Sequence, residues 1–408
     1  MTMAATIRRY ALGWLVAANL IGVWLAALLL WPQLNDYTAP LTYGRWVPLH
    51  LDWQLYGWCA LPLVGALLYY YLPGNDRGRG PARVALAVWS AGLAWGGLTW
   101  LSGSSSGKLF LEWSGSARVV WLMALLLVWV VLAVRVWPRR REFPWWAQAL
   151  LALLAAVPFV LWRASDPAIH PVVDPDTGGA TGASLLGSTL GIMAIFGLLP
   201  WLLRLAPVET PGGRFGRKRL YGFYLLFSLA LDAVLKRGHV SHHDVGHVLG
   251  LGSLALWIPL VWWYGRAFVW PAAARPWLGW AFAWWMVLVV TGFLVFLPEV
   301  ADRLKFTNGL VAHAHLAMAG LVTSLHLAIL AAFGLRATRW SRWTWQSACA
   351  VHVAALAWLG WREGAEPGLL YVRGGLADWC YGLRLGAGVA MLAASIDWLR
   401  AAWKHDEE

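Results

Sequence analysis

The stretch "NGLVAHAHLAMAGLV" (Asn308 to Val322) sets His313 and His315 one residue apart in an apolar run. Imidazole in hydrocarbon is costly and marks a functional position by default. On a helix of 3.6 residues per turn, residues i and i+2 point about 200° apart. Two histidines so arranged cannot readily grip one metal ion, but each can be axial ligand to its own haem iron through a neutral imidazole. The alternative is that both are polar residues hydrogen-bonded between helices. His50 opens a second apolar run, "GRWVPLHLDWQLYGWCALPLVGALLYYYL". A further group, His239, His242, His243 and His247, lies in "RGHVSHHDVGHVLG". His239, His243 and His247 share one helical stripe at i, i+4 and i+8. Such spacing suits copper, zinc or another haem iron, with Asp244 as ligand or as acceptor fixing a tautomer. The bland reading is a wet loop whose histidines line a cavity or cap a helix.

The elements that must position these side chains are membrane spans. The chain has 408 residues, 60% hydrophobic and 13% charged, where soluble domains carry about 25% charged residues. Thirty-three tryptophans suit many membrane–water boundaries. Spans need about 17–25 apolar residues. Twelve segments qualify: 10–31, 50–72, 82–101, 117–137, 145–162, 183–204, 219–235, 247–270, 276–298, 309–335, 342–361 and 381–403. The fold class is therefore an all-α polytopic membrane protein, one transmembrane domain over residues 1–408 with short Pro/Gly-rich connections. The first span has no small-residue cleavage site behind it and reads as retained. With both termini cytoplasmic, every inner connection carries at least two basic residues and most of the 32 Lys and Arg lie inside. The net charge of +12 is then topology, with no nucleic acid implied. Cys59, Cys349 and Cys380 have neither metal nor disulfide spacing, and no CxxCH occurs. In this topology His50, His313, His315 and the His239–His247 group share one outer layer.

Twelve spans, a histidine at the outer start of the second and H-x-H at the outer start of the tenth resemble subunit I of the haem–copper oxidase superfamily. The cbb-type cytochrome oxidases and nitric oxide reductases are the nearest members. The resemblance implies an oxidase subunit I-like bundle in which His50 and His315 clamp a low-spin haem. His313 would be proximal ligand of a second haem, b-type or related, which in the family faces copper. It also implies that Arg45, Arg362 and Arg373 hold haem propionates, by the bidentate pairing that suits arginine; ordinary solvated loop charges are the alternative. The departures lie at the copper. The sixth span, "PDTGGATGASLLGSTLGIMAIFGLLPWLL", has no histidine and puts Gly178 or Gly179 at the ligand position. The seventh puts Leu235 and Lys236 where the family has a histidine pair, and His242–His243 follows about seven residues later.

The expectation is a haem-binding redox protein of a respiratory electron-transfer complex, with the copper centre absent or rebuilt. The inner half is poor in ionisable side chains, since the eighth span has none between His247 and Arg266. Proton pumping is not expected. Partners would be membrane or periplasmic subunits such as c-type cytochromes, in a bacterial cytoplasmic membrane. Two other readings stay open: an active cytochrome c oxidase or nitric oxide reductase with copper on the His239–His247 cluster, and a twelve-span secondary transporter. His326 and His352 read as satisfied interhelical residues; His170 and His405 say little.

Overall fold

The computed structural model describes residues 2–73, 76–173, 185–208, 214–235, 245–371 and 374–404. All twelve apolar segments are mainly helical where described, with breaks such as 266–270, where Phe268 forms an isolated bridge with Pro207. Among the described residues, eight helices are long and apolar enough to cross a membrane: Met3–Leu30, Gly78–Leu101, Gly115–Glu142, Trp145–Ala164, Val248–Gly265, Arg275–Val295, Asn308–Ala332 and Leu376–Lys404. The chain is an integral membrane protein. The other four segments miss that test for local reasons. The second is divided into Tyr43–Asp52, Trp53–Cys59 and Leu61–Tyr71. Arg214–Leu235 opens on Arg214, Arg217, Lys218 and Arg219, and Arg339–Ala365 carries Gln346, His352, Arg362 and Glu363. Of the sixth, Thr189–Leu202 is the described apolar helix.

The chain forms two compact units. The first comprises Met1–Gly182, Phe333–Ser341 and Leu392–Glu408; the second comprises Ala183–Ala332 and Arg342–Met391. The first is built around Met3–Leu30, whose Ala11, Leu12, Leu15 and Ala18 are fully buried. Its tryptophans do more than mark boundaries. Trp113 and Trp121 stack at 4.5 Å, Trp89 and Trp100 meet them edge-on, and Trp58, Trp100, Trp113 and Trp121 are buried. Indole tolerates this where its N–H finds an acceptor: Trp100 Nε1 donates to the Glu112 carbonyl and Trp89 Nε1 to the Tyr56 carbonyl, each at 2.9 Å. Much of the tryptophan content thus serves the interior.

The second unit contains the His-x-His helix. Thr307 caps it, its hydroxyl accepting from Gly309 N at 3.1 Å; such a cap is worth about 1 kcal/mol. The buried Glu363 carboxylate then accepts from Asn308 N and Nδ2, both at 2.7 Å. An acceptor with negative charge at a helix N-terminus meets otherwise orphaned N–H groups. Glu363 belongs to Arg339–Ala365, which runs antiparallel alongside. The two backbones approach so closely that a Cβ on Gly360 would collide with Gly309 N.

Candidate functional site

His50 lies near the end of Tyr43–Asp52, and a π-helical turn, Trp53–Cys59, follows at once. His315 ends Asn308–His315, and a second π-helical turn, Leu316–Val322, follows it. Such turns recur at functional sites because an extra residue re-aims the helix around it. The widened ladder leaves carbonyls for other donors. Trp89 Nε1 takes the Tyr56 carbonyl; Trp345 Nε1 takes that of Ala319 at 2.9 Å, and Thr323 Oγ1 that of Met318 at 2.9 Å.

The two histidines also share a tautomer. His50 Nδ1 is 3.1 Å from the Ala18 carbonyl, and His315 Nδ1 is 2.8 Å from the Val311 carbonyl. A carbonyl oxygen only accepts, so Nδ1 carries the proton in each ring and Nε2 carries the lone pair. That is the usual state of a ligating histidine, whose other N–H donates to a carbonyl and raises ligand basicity. His50 is also seated closely: a Cβ on Gly22 would stand 2.7 Å from His50 Cε1. One turn further on, Gln54 Nε2 donates to Asn19 Oδ1 at 2.8 Å, and Asn19 Nδ2 donates to Ser395 Oγ at 3.2 Å. Helix Met3–Leu30 is thereby fixed against the His50 segment.

Within the second unit the two histidines of the pair meet different neighbours. His313 faces Arg275–Val295 and its C-terminal end, 3.3 Å from the Cβ position of Gly292 and edge-on to Phe296 at 5.7 Å. Its Nδ1 is buried and has no hydrogen-bond partner among the described residues, an orphan that needs an explanation. His315 faces Arg339–Ala365, where its ring lies 4.4 Å from that of His352, tilted by 38°. His352, read from sequence as a satisfied interhelical residue, is a direct neighbour of a candidate ligand. Its signal was only its position midway along an adjacent span. His326 is buried on the following turns.

The remaining expected residues are less closely gathered. Arg45 donates to the Leu101 carbonyl at 3.5 Å, against the connection that follows Gly78–Leu101. Arg362 forms an exposed ion pair with Glu366 at 2.7 Å. His239, His242, His243 and Arg373 lie outside the described residues, as do Gly178, Gly179 and Lys236. His247 falls in the helix Val245–Ser253, its side chain outside the description. Among the described residues, no three His, Cys, Asp or Glu converge as metal ligands.

Beside the His50 segment, the 102–114 connection folds over fully buried Asp52, whose Oδ2 accepts from Glu112 N at 3.2 Å. Tyr56 donates to the Phe110 carbonyl at 2.8 Å. The Glu112 carboxylate accepts from Ser105 Oγ and from Gly107 N, yet burial outweighs these bonds and pushes its pKa up. Buried Lys108, whose Nζ donates to the His170 carbonyl at 2.9 Å, is pushed down by desolvation. Arg118 pairs with Asp166 at 3.0 Å and lies over the Trp162 ring. The Ala168 N–H, then Arg118, hold the Asp166 carboxyl below its ordinary value.

No family model matches the sequence, and no curated protein does. A solved structure of a haem–copper terminal oxidase, described as a dimer, superposes with a TM-score of 0.59 at 13% identity. The match covers 98% of this chain and 84% of that one. The fold is thus an all-α membrane bundle that resembles haem–copper oxidase subunit I.

Proposed function

We propose that the chain is a haem-binding membrane redox subunit that passes electrons through a bis-histidine low-spin haem held by His50 and His315. The observation that carries this reading is the arrangement common to the two residues. Each ring has Nδ1 turned to a backbone carbonyl, its lone pair on Nε2, and a π-helical turn behind it. Two unrelated helices would not acquire that set by packing alone. His313, whose buried Nδ1 has no partner among the described residues, is assigned to a second haem.

When bound, haem supplies a one-electron couple whose potential is tuned by axial ligands, hydrogen bonds and burial. This chain's part is to fix the ligand tautomers through Ala18 and Val311, to orient the rings, and to exclude water with apolar helices. The copper of the superfamily centre is absent or rebuilt, because the sixth span offers no imidazole. Retention of about three imidazoles would have to come from His239, His242, His243 and His247. Electrons arrive from a membrane or periplasmic subunit bearing c-type haem or copper, since the chain holds no CxxCH. A bacterial cytoplasmic membrane with both termini inside fits the Lys/Arg distribution.

The test is a reduced-minus-oxidised spectrum of the purified chain with haem extraction. Bands of a low-spin b- or a-type haem are expected; a chain purified without haem under haem-replete expression would overturn the reading.

A further inference from the structure

We propose that His352 is a positioning residue for the low-spin haem, holding the plane of the His315 ring. The inference rests on the assignment of His315 as a ligand. The two imidazoles lie 4.4 Å apart between centroids at a 38° tilt, close enough for the face of one ring to bear on the other. His352 is buried, 5% exposed. A leucine there would fill the space without taking an imidazole into hydrocarbon, a burial that is costly in a membrane. The sequence pays that cost one ring away from a candidate iron ligand.

The two helices cannot slide. Glu363 binds Asn308 at one end of their contact, and Gly360 meets Gly309 backbone to backbone. Past the histidines, Trp345 Nε1 holds the Ala319 carbonyl, and Gln346 Nε2 donates to Ser324 Oγ at 3.0 Å. His352 therefore stands at a fixed place beside His315, between tethers on both sides. The Val311 carbonyl fixes one edge of the His315 ring at 2.8 Å but leaves it a swing about the Cβ–Cγ bond. The face of His352 removes that swing. The azimuth of an axial imidazole about the iron–nitrogen bond sets the splitting of the iron d orbitals. His352 thus acts on the electronic state of the iron through His315, without touching the metal.

The experiment compares the full-length purified chain with His352→Leu, His352→Phe and His315→Ala. The readouts are haem content, low-temperature electron paramagnetic resonance of the oxidised low-spin haem, and its midpoint potential. His352→Leu is expected to keep wild-type haem content and six-coordination while shifting the lowest-field g value and the potential. His352→Phe, which restores an aromatic face, should return the g value toward wild type. Unchanged g value and potential in His352→Leu would overturn the proposal. So would loss of haem in both His352 variants, which would make the residue a packing element alone. His315→Ala separates the two claims: its loss of the low-spin signal supports the ligand assignment whatever His352 does. A low-spin signal surviving in His315→Ala would refute that assignment and the proposal with it.

Discussion

Gly22→Ala is a small change with a large expected consequence. The added methyl would sit 2.7 Å from His50 Cε1 and 3.0 Å from Nδ1, and the imidazole is the group it would displace. Ordinary carbon–carbon contact begins at about 3.5 Å, so the ring must retreat by roughly 0.8 Å or leave its rotamer. Its Nδ1 bond to Ala18, now 3.1 Å, does not survive such a shift. Overpacking of this kind costs about 1–3 kcal/mol, and losing the orienting partner of a metal-bound histidine costs 10–100-fold in affinity. Gly13→Ala is the control: it lies in the same helix with nothing within 4 Å of its Cβ position. Any gain in helix propensity, up to about 1 kcal/mol, is common to both variants. The assay is haem per chain with the low-spin absorption band, both measured after purification in one detergent. Gly22→Ala should show about a tenfold or greater loss of haem retention on dilution, and Gly13→Ala none. Equal haem retention in the two variants would refute the seating of His50 described here.

Three further outcomes are expected. Glu363→Ala removes the acceptor of Asn308 N at the helix start and leaves Asn308 Nδ2 only the longer bond to Tyr381 at 3.3 Å, so unfolding in detergent should be easier by about 1 kcal/mol, while Glu363→Gln, which keeps an acceptor, should cost less. Because Asp166 is held below its ordinary value, its contribution is present above the unfolded value of about 4 and disappears as pH falls through the lower folded value. The drop in thermal stability below pH 4 should therefore be smaller in Asp166→Asn, and an identical acid profile would contradict the assignment. Metal analysis with carbon monoxide binding to the reduced chain should give no copper and no photolabile adduct of a haem–copper centre; one copper per chain with that adduct would restore a working oxidase.

His50, His313 and His315 stand out in the sequence as candidates because a histidine in a long apolar run contrasts with its neighbours. The opposed directions of His313 and His315 followed from helical geometry alone, and the residues do meet different helices. The partners of those rings were not legible. Whether His352 meets His315 depends on the register of two antiparallel helices, set by Glu363, Gly360 and Trp345 through contacts distant in sequence. The π-helical turns were hidden too, because their spare carbonyls are taken by Trp89 and Trp345 from other helices. Hydropathy marked all twelve helical segments but read the tryptophans as boundary residues. Their burial rests on ring packing, as between Trp113 and Trp121, and on acceptors for indoles such as Trp89 and Trp100, which only tertiary structure supplies.

The central claim is that one haem is shared by residues from the second and tenth apolar segments. The most direct measurement is the electron paramagnetic resonance spectrum of oxidised His50→Ala and His315→Ala, each purified with its haem content quantified. Each variant should lose the same low-spin bis-histidine signal while the other haem keeps its own. A normal low-spin signal in either variant would contradict the claim.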